Sequence, residues 1–176
     1  MSLQADVATT GSDQSFGARL GMNFNTEYTL DFAMRRPTYE HGNGLVVSAG
    51  IGYEAALYQP PVCFTLGVRH ERVPGADGDD SGTTLIPIGV GIGKSLGSSR
   101  GLSLSLFAMP EYMIVANPAP EGDFDSFWDE LGKRSEGRGV VGLLLGTPFI
   151  YTTGSVEVST RNDLEPTFQI GVGVVF

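Results

Sequence analysis

Large apolar and small residues alternate along almost the whole chain, and this period of two limits the fold more than any other feature. From Val47 to Tyr53 the odd positions carry Val, Ala, Ile and Tyr, while the even positions carry Ser, Gly and Gly. Successive side chains of a β-strand point to opposite faces of a sheet, so the pattern predicts an all-β protein. Runs of this kind cover residues 3–7, 16–24, 28–34, 45–53, 62–68, 86–92, 102–106, 141–145, 156–158 and 168–176.

The two faces of these strands differ in size and charge. Glycine weakens a strand and packs nothing, so a face with Gly89, Gly91 and Gly93 does not suit the outside of a soluble sheet. An inside-out barrel with lipid around the bulky face satisfies both faces. The alternative is a soluble, lipocalin-like barrel that binds an apolar ligand inside. In the membrane barrel we expect lumen-facing charges at Arg19, Glu27, Asp31, Arg35, Glu54, Arg69, Glu71, Glu111 and Glu157.

The connections between the runs alternate in length. Longer ones are expected at 9–14, 36–43, 74–82, 116–137 and 161–165, and short ones at 25, 58–61, 97–100 and 147–149. This alternation is typical of an antiparallel up-and-down transmembrane β-barrel with short turns on its periplasmic side. Ten strands keep both termini on the short-turn rim, whereas eight would result if residues 3–7 form no strand and 147–154 are continuous. Residues 1–176 are then a single barrel domain.

The composition excludes several classes of protein. A formal net charge of −9, with Lys94 and Lys133 as the lysines, argues against nucleic-acid binding. Cys63 is the single cysteine, so the chain can build neither an internal disulfide nor a cysteine metal cluster, and no cofactor is expected. No apolar run reaches the roughly 20 residues of a spanning helix. The first residues, MSLQADV, lack the features of a signal peptide, which fits a mature exported chain or a cytosolic protein.

The C-terminal strand carries a second, more specific pattern. Gln169, Gly171, Val174 and Phe176 follow the order polar, glycine, apolar and terminal aromatic residue. This order resembles the C-terminal signal that the barrel-assembly machinery reads in bacterial outer-membrane β-barrel proteins. The whole chain is similar to the small barrels of the OmpX, OmpW and OmpA transmembrane-domain families. The resemblance implies a monomer in the Gram-negative outer membrane, whose partners are membrane lipids, the assembly machinery and a small solute.

Two histidines are the candidates for enzyme chemistry. His70 lies at the end of a strand on the lipid-facing parity with Arg72, beside the inward Glu71. Outer-membrane lipid A deacylases use a His-x-Ser pair, and Arg72 takes the place of that serine here. We therefore interpret His70 as a rim residue near lipid head groups. His41 lies beside Glu40 in a connection and is interpreted as a solvated turn residue.

An acidic turn and a short helix are predicted in the longer connections. Asp77, Asp79 and Ser81 have the spacing of oxygen ligands in a calcium loop, but Ile88 replaces the final carboxylate. They are weak metal candidates, and a solvated turn is the expected structure. A helix is predicted within 124–134, because apolar residues recur there at helical spacing, and we expect it at the barrel mouth or the membrane interface.

Three function classes remain at this stage. The favoured one is a non-enzymatic outer-membrane barrel that is structural or a passive channel for a small solute. Inward carboxylates would bias such a channel toward cations. The alternatives are the soluble binding barrel and a lipid A-modifying outer-membrane enzyme.

Overall fold

The computed structural model describes residues 1–11, 13–24, 27–39, 42–55, 62–75, 81–99, 101–116, 135–160 and 165–176. Ten strands form the barrel and an eleventh, β4, is a two-residue extension beside β3. None of the described residues lies in a helix that is long and apolar enough to cross a membrane. The strands are β1 Ser2–Thr10, β2 Asp13–Phe24, β3 Tyr28–Tyr39, β4 Gly42–Asn43, β5 Leu45–Ala55, β6 Val62–Val73, β7 Ser81–Ser99, β8 Leu102–Val115, β9 Glu136–Gly146, β10 Ile150–Ser159 and β11 Thr167–Val175.

The sheet closes on itself by pairing its first and last strands. Each barrel strand pairs antiparallel with its neighbours in the chain, and β1 pairs with β11 from Ser2 opposite Val175 to Thr10 opposite Thr167. We can follow the paired residues from strand to strand around the barrel, starting at Leu85 of β7. After all nine remaining barrel strands, this path reaches β7 again at Ser98. This stagger tilts the strands and sets the barrel width. The fold is the ten-stranded up-and-down barrel that the alternation predicts, and the eight-stranded alternative is wrong.

The bulky residues of the alternating runs form the outside of the barrel. Phe16, Phe64 and Ile170 expose 60%, 48% and 69% of their surface, although aromatic and branched aliphatic residues usually lie inside. The buried residues of the strands lie on the opposite parity, among them Ala8, Leu85 and Met113, with Ala55 at the end of β5 as the exception. The arrangement is the reverse of a soluble binding barrel, which would turn its apolar face inward.

Connections differ between the two rims of the barrel. At one rim β8 and β9 are separated by residues 116–135, and at the other Thr147 to Phe149 join β9 to β10. The predicted longer connection at 9–14 is wrong, because Thr10 still pairs with Asp13 and only residues 11 and 12 join the strands. Gly11 has a φ of 55°, a left-handed conformation that glycine adopts without strain and that a tight turn needs.

Candidate functional site in the barrel lumen

Charged side chains collect on the inward face of the barrel. We assign a residue to this face when it shares parity with the buried residues of its strand and stands opposite inward residues on its neighbours. Four arginines and eight carboxylates of the described strands meet this condition. They are Arg19, Arg35, Arg69 and Arg138, with Asp6, Asp13, Asp31, Glu54, Glu71, Glu111, Glu136 and Glu157.

Strands β1 to β3 carry the first group of ion pairs. Arg19 Nε lies 2.6 Å from Asp31 Oδ2, and Arg35 Nη2 lies 2.9 Å from Asp6 Oδ1. Gly17 stands between Asp6 and Arg35 in the register, and a Cβ atom there would lie 2.8 Å from Asp6 Oδ1. A glycine is therefore needed at this position, because the ion pair crosses from β1 to β3 over its backbone.

Strands β9 and β10 carry a second, more enclosed group. Arg138 pairs with Glu136 through Nε and with Glu157 through Nη1, the latter at 3.0 Å. Only 12% of the Arg138 side chain and 6% of the Glu136 side chain are exposed. One arginine thus balances two carboxylates, and removing it would leave both in a poorly solvated place.

Strand β6 contributes a pair with poorer geometry. Arg69 Nε and Glu71 Oε1 are 2.6 Å apart, yet both atoms are buried and neither makes a well-directed hydrogen bond among the described residues. The hydroxyl of Thr65 on the same strand is also buried without a partner there. Coulomb attraction survives this misalignment, whereas a hydrogen bond weakens steeply with angle.

Glu54 and Glu111, like Asp13 at the start of β2, differ from the other inward carboxylates, because none of the three forms an ion pair with a described residue. Glu111 stands opposite Gly89 in β7, and Thr65 stands on the other side of Gly89 in β6. A Cβ atom on that glycine would lie 2.5 Å from Thr65 Oγ1 and 3.0 Å from Glu111 Cγ. The glycine therefore lies beneath two polar side chains that lean over it.

A cavity of about 250 Å³ lies against the wall formed by β5 to β8. Its inward lining includes Glu54, Cys63, Gly91, Gly93 and Phe107. An added Cβ on Gly91 or Gly93 would meet no atom closer than 3.5 Å. This part of the lumen is open, and Glu54 supplies the negative charge on its wall.

The other residues singled out in the sequence take no part in the ion pairs of the lumen. Glu27 precedes β3 at the short-connection rim, where its carbonyl accepts a hydrogen bond from the Glu54 amide. His70 is exposed on the outward face, with Nδ1 3.1 Å from Thr84 Oγ1. Gln169 and Gly171 lie on the inward face of β11, Val174 faces outward opposite Leu3, and the Phe176 amide donates to the Met1 carbonyl. The assembly role of these four stays a prediction.

Some predictions fall on residues outside the described ranges. They are His41, Asp77, Asp79 and the helix within 124–134. Ser81 is described, begins β7, and donates a hydrogen bond from Oγ to the Val73 carbonyl over 3.4 Å. Within the described part of the chain, no three histidine, cysteine or acidic side chains are grouped for a metal ion.

Sequence reasoning missed Asp6, Asp13, Glu136 and Arg138 as lumen residues. Asp6 alternates with Ala5 and Val7, so its inward parity was readable from the first run. Glu136 lies in the predicted connection 116–137, and Arg138 lies between that connection and the apolar run 141–145. The alternation of Glu136, Arg138 and Val140 with glycines and Val141 could have extended that strand, but the ion pair with Glu157 depends on the register with β10.

Comparisons with known proteins give a fold and no family. No protein-family model and no curated protein matches the sequence. Among solved structures, the NanC porin matches with 9% identity and a TM-score of 0.55 over 99% of both chains. LpxR from Salmonella typhimurium matches with 10% identity and a TM-score of 0.56 over 100% of both chains, and the KdgM porin with 8% and 0.53 over 100% of this chain and 99% of its own. By its fold, the chain is therefore a closed antiparallel barrel of the outer-membrane kind.

Proposed function

We propose that the protein spans the bacterial outer membrane and is a non-enzymatic, passive channel for small solutes with a preference for cations. The bulky outward face supports the membrane position, because lipid accepts large apolar side chains and a closed barrel leaves no unpaired strand edge. The excess of inward carboxylates supports the charge preference. Eight inward carboxylates face four inward arginines in the described strands, and this observation carries the proposal.

The ion pairs restrict which carboxylates act on a passing solute. Arg19, Arg35, Arg69 and Arg138 each have an acidic partner within 3.0 Å, so their charges are largely balanced locally. Glu54 and Glu111 have no such partner among the described residues. Glu54 lines the open cavity, so a solute in that cavity lies close to the negative charge of Glu54.

Single-channel recording in planar bilayers tests the proposal. With a KCl gradient across the bilayer, we expect small conductance steps and a reversal potential displaced toward the potassium equilibrium potential. Glu54→Gln should move the reversal potential toward zero, and Glu54→Gln with Glu111→Gln should move it further. Lys94→Gln is the matched control, because Lys94 faces outward opposite Leu106 and should leave the reversal potential unchanged.

Two outcomes would reject parts of the proposal. A silent bilayer that contains correctly folded protein rejects the channel and leaves a structural barrel. A channel that prefers anions rejects the assignment of selectivity to the inward carboxylates.

A lipid-modifying enzyme is the second candidate, and the His70–Thr84 contact favours it. A histidine 3.1 Å from a hydroxyl on the outward face has the distance of a base and a nucleophile. None of the described carboxylates is hydrogen-bonded to the other side of His70, so the group that orients a catalytic base is not seen there. Lipid A from a host that expresses His70→Ala, compared by mass spectrometry with lipid A from a host with the parent protein, tests this candidate. Identical lipid in the two samples would eliminate it.

A further inference from the structure

The outward wall of the barrel carries charge of one sign. Every aspartate and glutamate within the described strands has inward parity. The outward charged residues of those strands are Arg36, Arg72 and Lys94, which stand opposite Phe16, Leu45 and Leu106. Within the described strands the outer surface is therefore cationic although the chain is acidic, and two of the three outward cations there, Arg36 and Arg72, lie on β3 and β6.

An apolar groove lies on the same part of the outer wall. Its volume is about 440 Å³, and it crosses β1 to β6 between two neighbouring outward rows. Ala18 and Ala49 leave space there between larger neighbours such as Phe32, Met34 and Val68. The groove is lined almost completely by apolar atoms and is long enough, across five strands spaced about 4.8 Å apart, for a stretch of acyl chain.

The groove ends beneath polar groups at the long-connection rim. His70 lines the end of the groove that is nearer this rim. The next row of outward residues toward the rim contains Arg36 in β3 and Arg72 in β6. One strand, β5, separates β3 from β6, so the two arginine backbones lie about 10 Å apart. Side chains of this length can reach one anionic group between them. Arg72 has a further interaction within the chain, and His70 Nδ1 lies 3.1 Å from Thr84 Oγ1, so both groups would share their hydrogen bonds between the protein and a bound phosphate.

We propose that this surface binds one phosphorylated acyl lipid, with a phosphate on Arg36, Arg72 and His70 and an acyl chain in the groove over Ala18 and Ala49. Guanidinium groups match phosphate oxygens with paired, charge-assisted hydrogen bonds. The long-connection rim of an outer-membrane barrel faces the outside of the cell. The bound lipid therefore belongs to the outer leaflet, and lipid A is the probe. The inference rests on the proposed membrane position and not on channel activity.

The phosphate contacts and the groove have different roles. An acyl chain is as apolar as the surrounding lipid. Its binding in the groove therefore adds van der Waals packing but no hydrophobic driving force. The arginines therefore supply most of the selectivity for a phosphorylated lipid, at roughly a fivefold gain in affinity for each cation near the surface. The groove fixes where the bound lipid lies.

Native mass spectrometry of the full chain, folded in micelles, tests the site with lipid A and with neutral phosphatidylcholine. We expect lipid A to bind more tightly than phosphatidylcholine. The double variant Arg36→Gln with Arg72→Gln should lose roughly 25-fold in lipid A affinity. Ala49→Phe, which fills the groove, should lower the affinity less. The single variants serve the same purpose if the double variant does not fold.

Matched controls separate a built site from general attraction to a cationic surface. Lys94→Gln removes the third outward cation, and Ala108→Phe fills an outward position on β8, opposite Val141. Both should bind lipid A as the parent protein does. Equal binding of phosphatidylcholine, unchanged binding by the arginine variants, or an equal loss in Lys94→Gln would each overturn the site. Conductance recorded on the same variants should be unchanged, so failure of the site and failure of the channel are distinguishable.

Discussion

The inward and outward faces of the barrel wall are built from the same strands but follow opposite rules. Outside, large side chains stand side by side and the described charges are all positive. Inside, glycines and small polar residues alternate with arginines and an excess of carboxylates. The difference shows that a sequence with little net hydropathy can specify a membrane surface. Apolar and polar residues alternate along each strand, and they therefore lie on opposite faces of the wall.

Inward glycines have a more specific role than making room in the lumen. Gly171 lies beneath the hydrogen bond from Gln4 Nε2 to Thr153 Oγ1, which spans 3.2 Å, and Gly173 lies beneath the Tyr151 ring. Such glycines let side chains from strands on either side meet over a bare backbone. The inner face is therefore a polar network with gaps, and Gly91 and Gly93 line one of these gaps.

The largest expected effect comes from breaking the enclosed ion pairs of the inward face. Arg138→Met should destabilise the barrel by about 3–5 kcal/mol, because the buried Glu136 and the half-buried Glu157 both lose their partner. Arg19→Met is the matched control and should cost at most about 1 kcal/mol, since 48% of the Arg19 side chain is exposed. Urea unfolding in micelles, followed by circular dichroism, measures both. Equal costs would contradict the contrast in burial.

A charge placed on the outward face gives the next largest effect. Ile51→Arg should cost about 2–4 kcal/mol, because Ile51 lies in the middle of β5 and faces lipid. Leu45→Arg, at the long-connection end of the same strand, should cost about 0–1 kcal/mol because its charge can reach the interface. The same unfolding assay compares the two. A similar cost at both positions would argue against a depth-dependent lipid environment.

A pair of glycines on opposite faces gives the smallest effect and the most local test. Gly142→Ala should cost roughly 1–3 kcal/mol, because the new Cβ would meet the Phe107 ring and lie 2.7 Å from the Gly154 carbonyl. Gly154→Ala should be neutral or stabilise by up to about 1 kcal/mol, since nothing lies within 4 Å of its outward position. Thermal unfolding in micelles ranks the two variants. The reverse order would mean that the faces are assigned wrongly.

The alternation of residue size allowed the barrel, its ten strands and the outward face to be predicted. It did not locate the ends of strands, where apolar residues are sparse. Thr9, Thr10, Asp13 and Gln14 are polar and suggest a connection, yet they pair in the structure as the ends of β1 and β2. Backbone pairing with a neighbouring strand extends β7 to Ser99, well beyond its apolar run.

The ion pairs could not be derived from the sequence. Arg35 and Asp6 are 29 residues apart and belong to strands that do not pair directly. Their meeting depends on the register of both with β2 and on the glycine between them. Parity gives the face of each charged residue, whereas its partner is set by the stagger of the closed barrel.

Cys63 and Phe64 allow the most direct test of the two faces, because they are adjacent and point to opposite sides of β6. A nitroxide spin label is placed on the native Cys63, and in a second sample on Phe64→Cys in a Cys63→Ser background. For the protein in lipid bilayers, collisions with molecular oxygen, which dissolves in lipid, and with a water-soluble nickel chelate are measured by electron paramagnetic resonance. We expect the label at position 64 to collide mainly with oxygen and the label at Cys63 to favour the nickel chelate. The opposite ranking would contradict the assignment of the bulky face to lipid and of the charged face to the lumen.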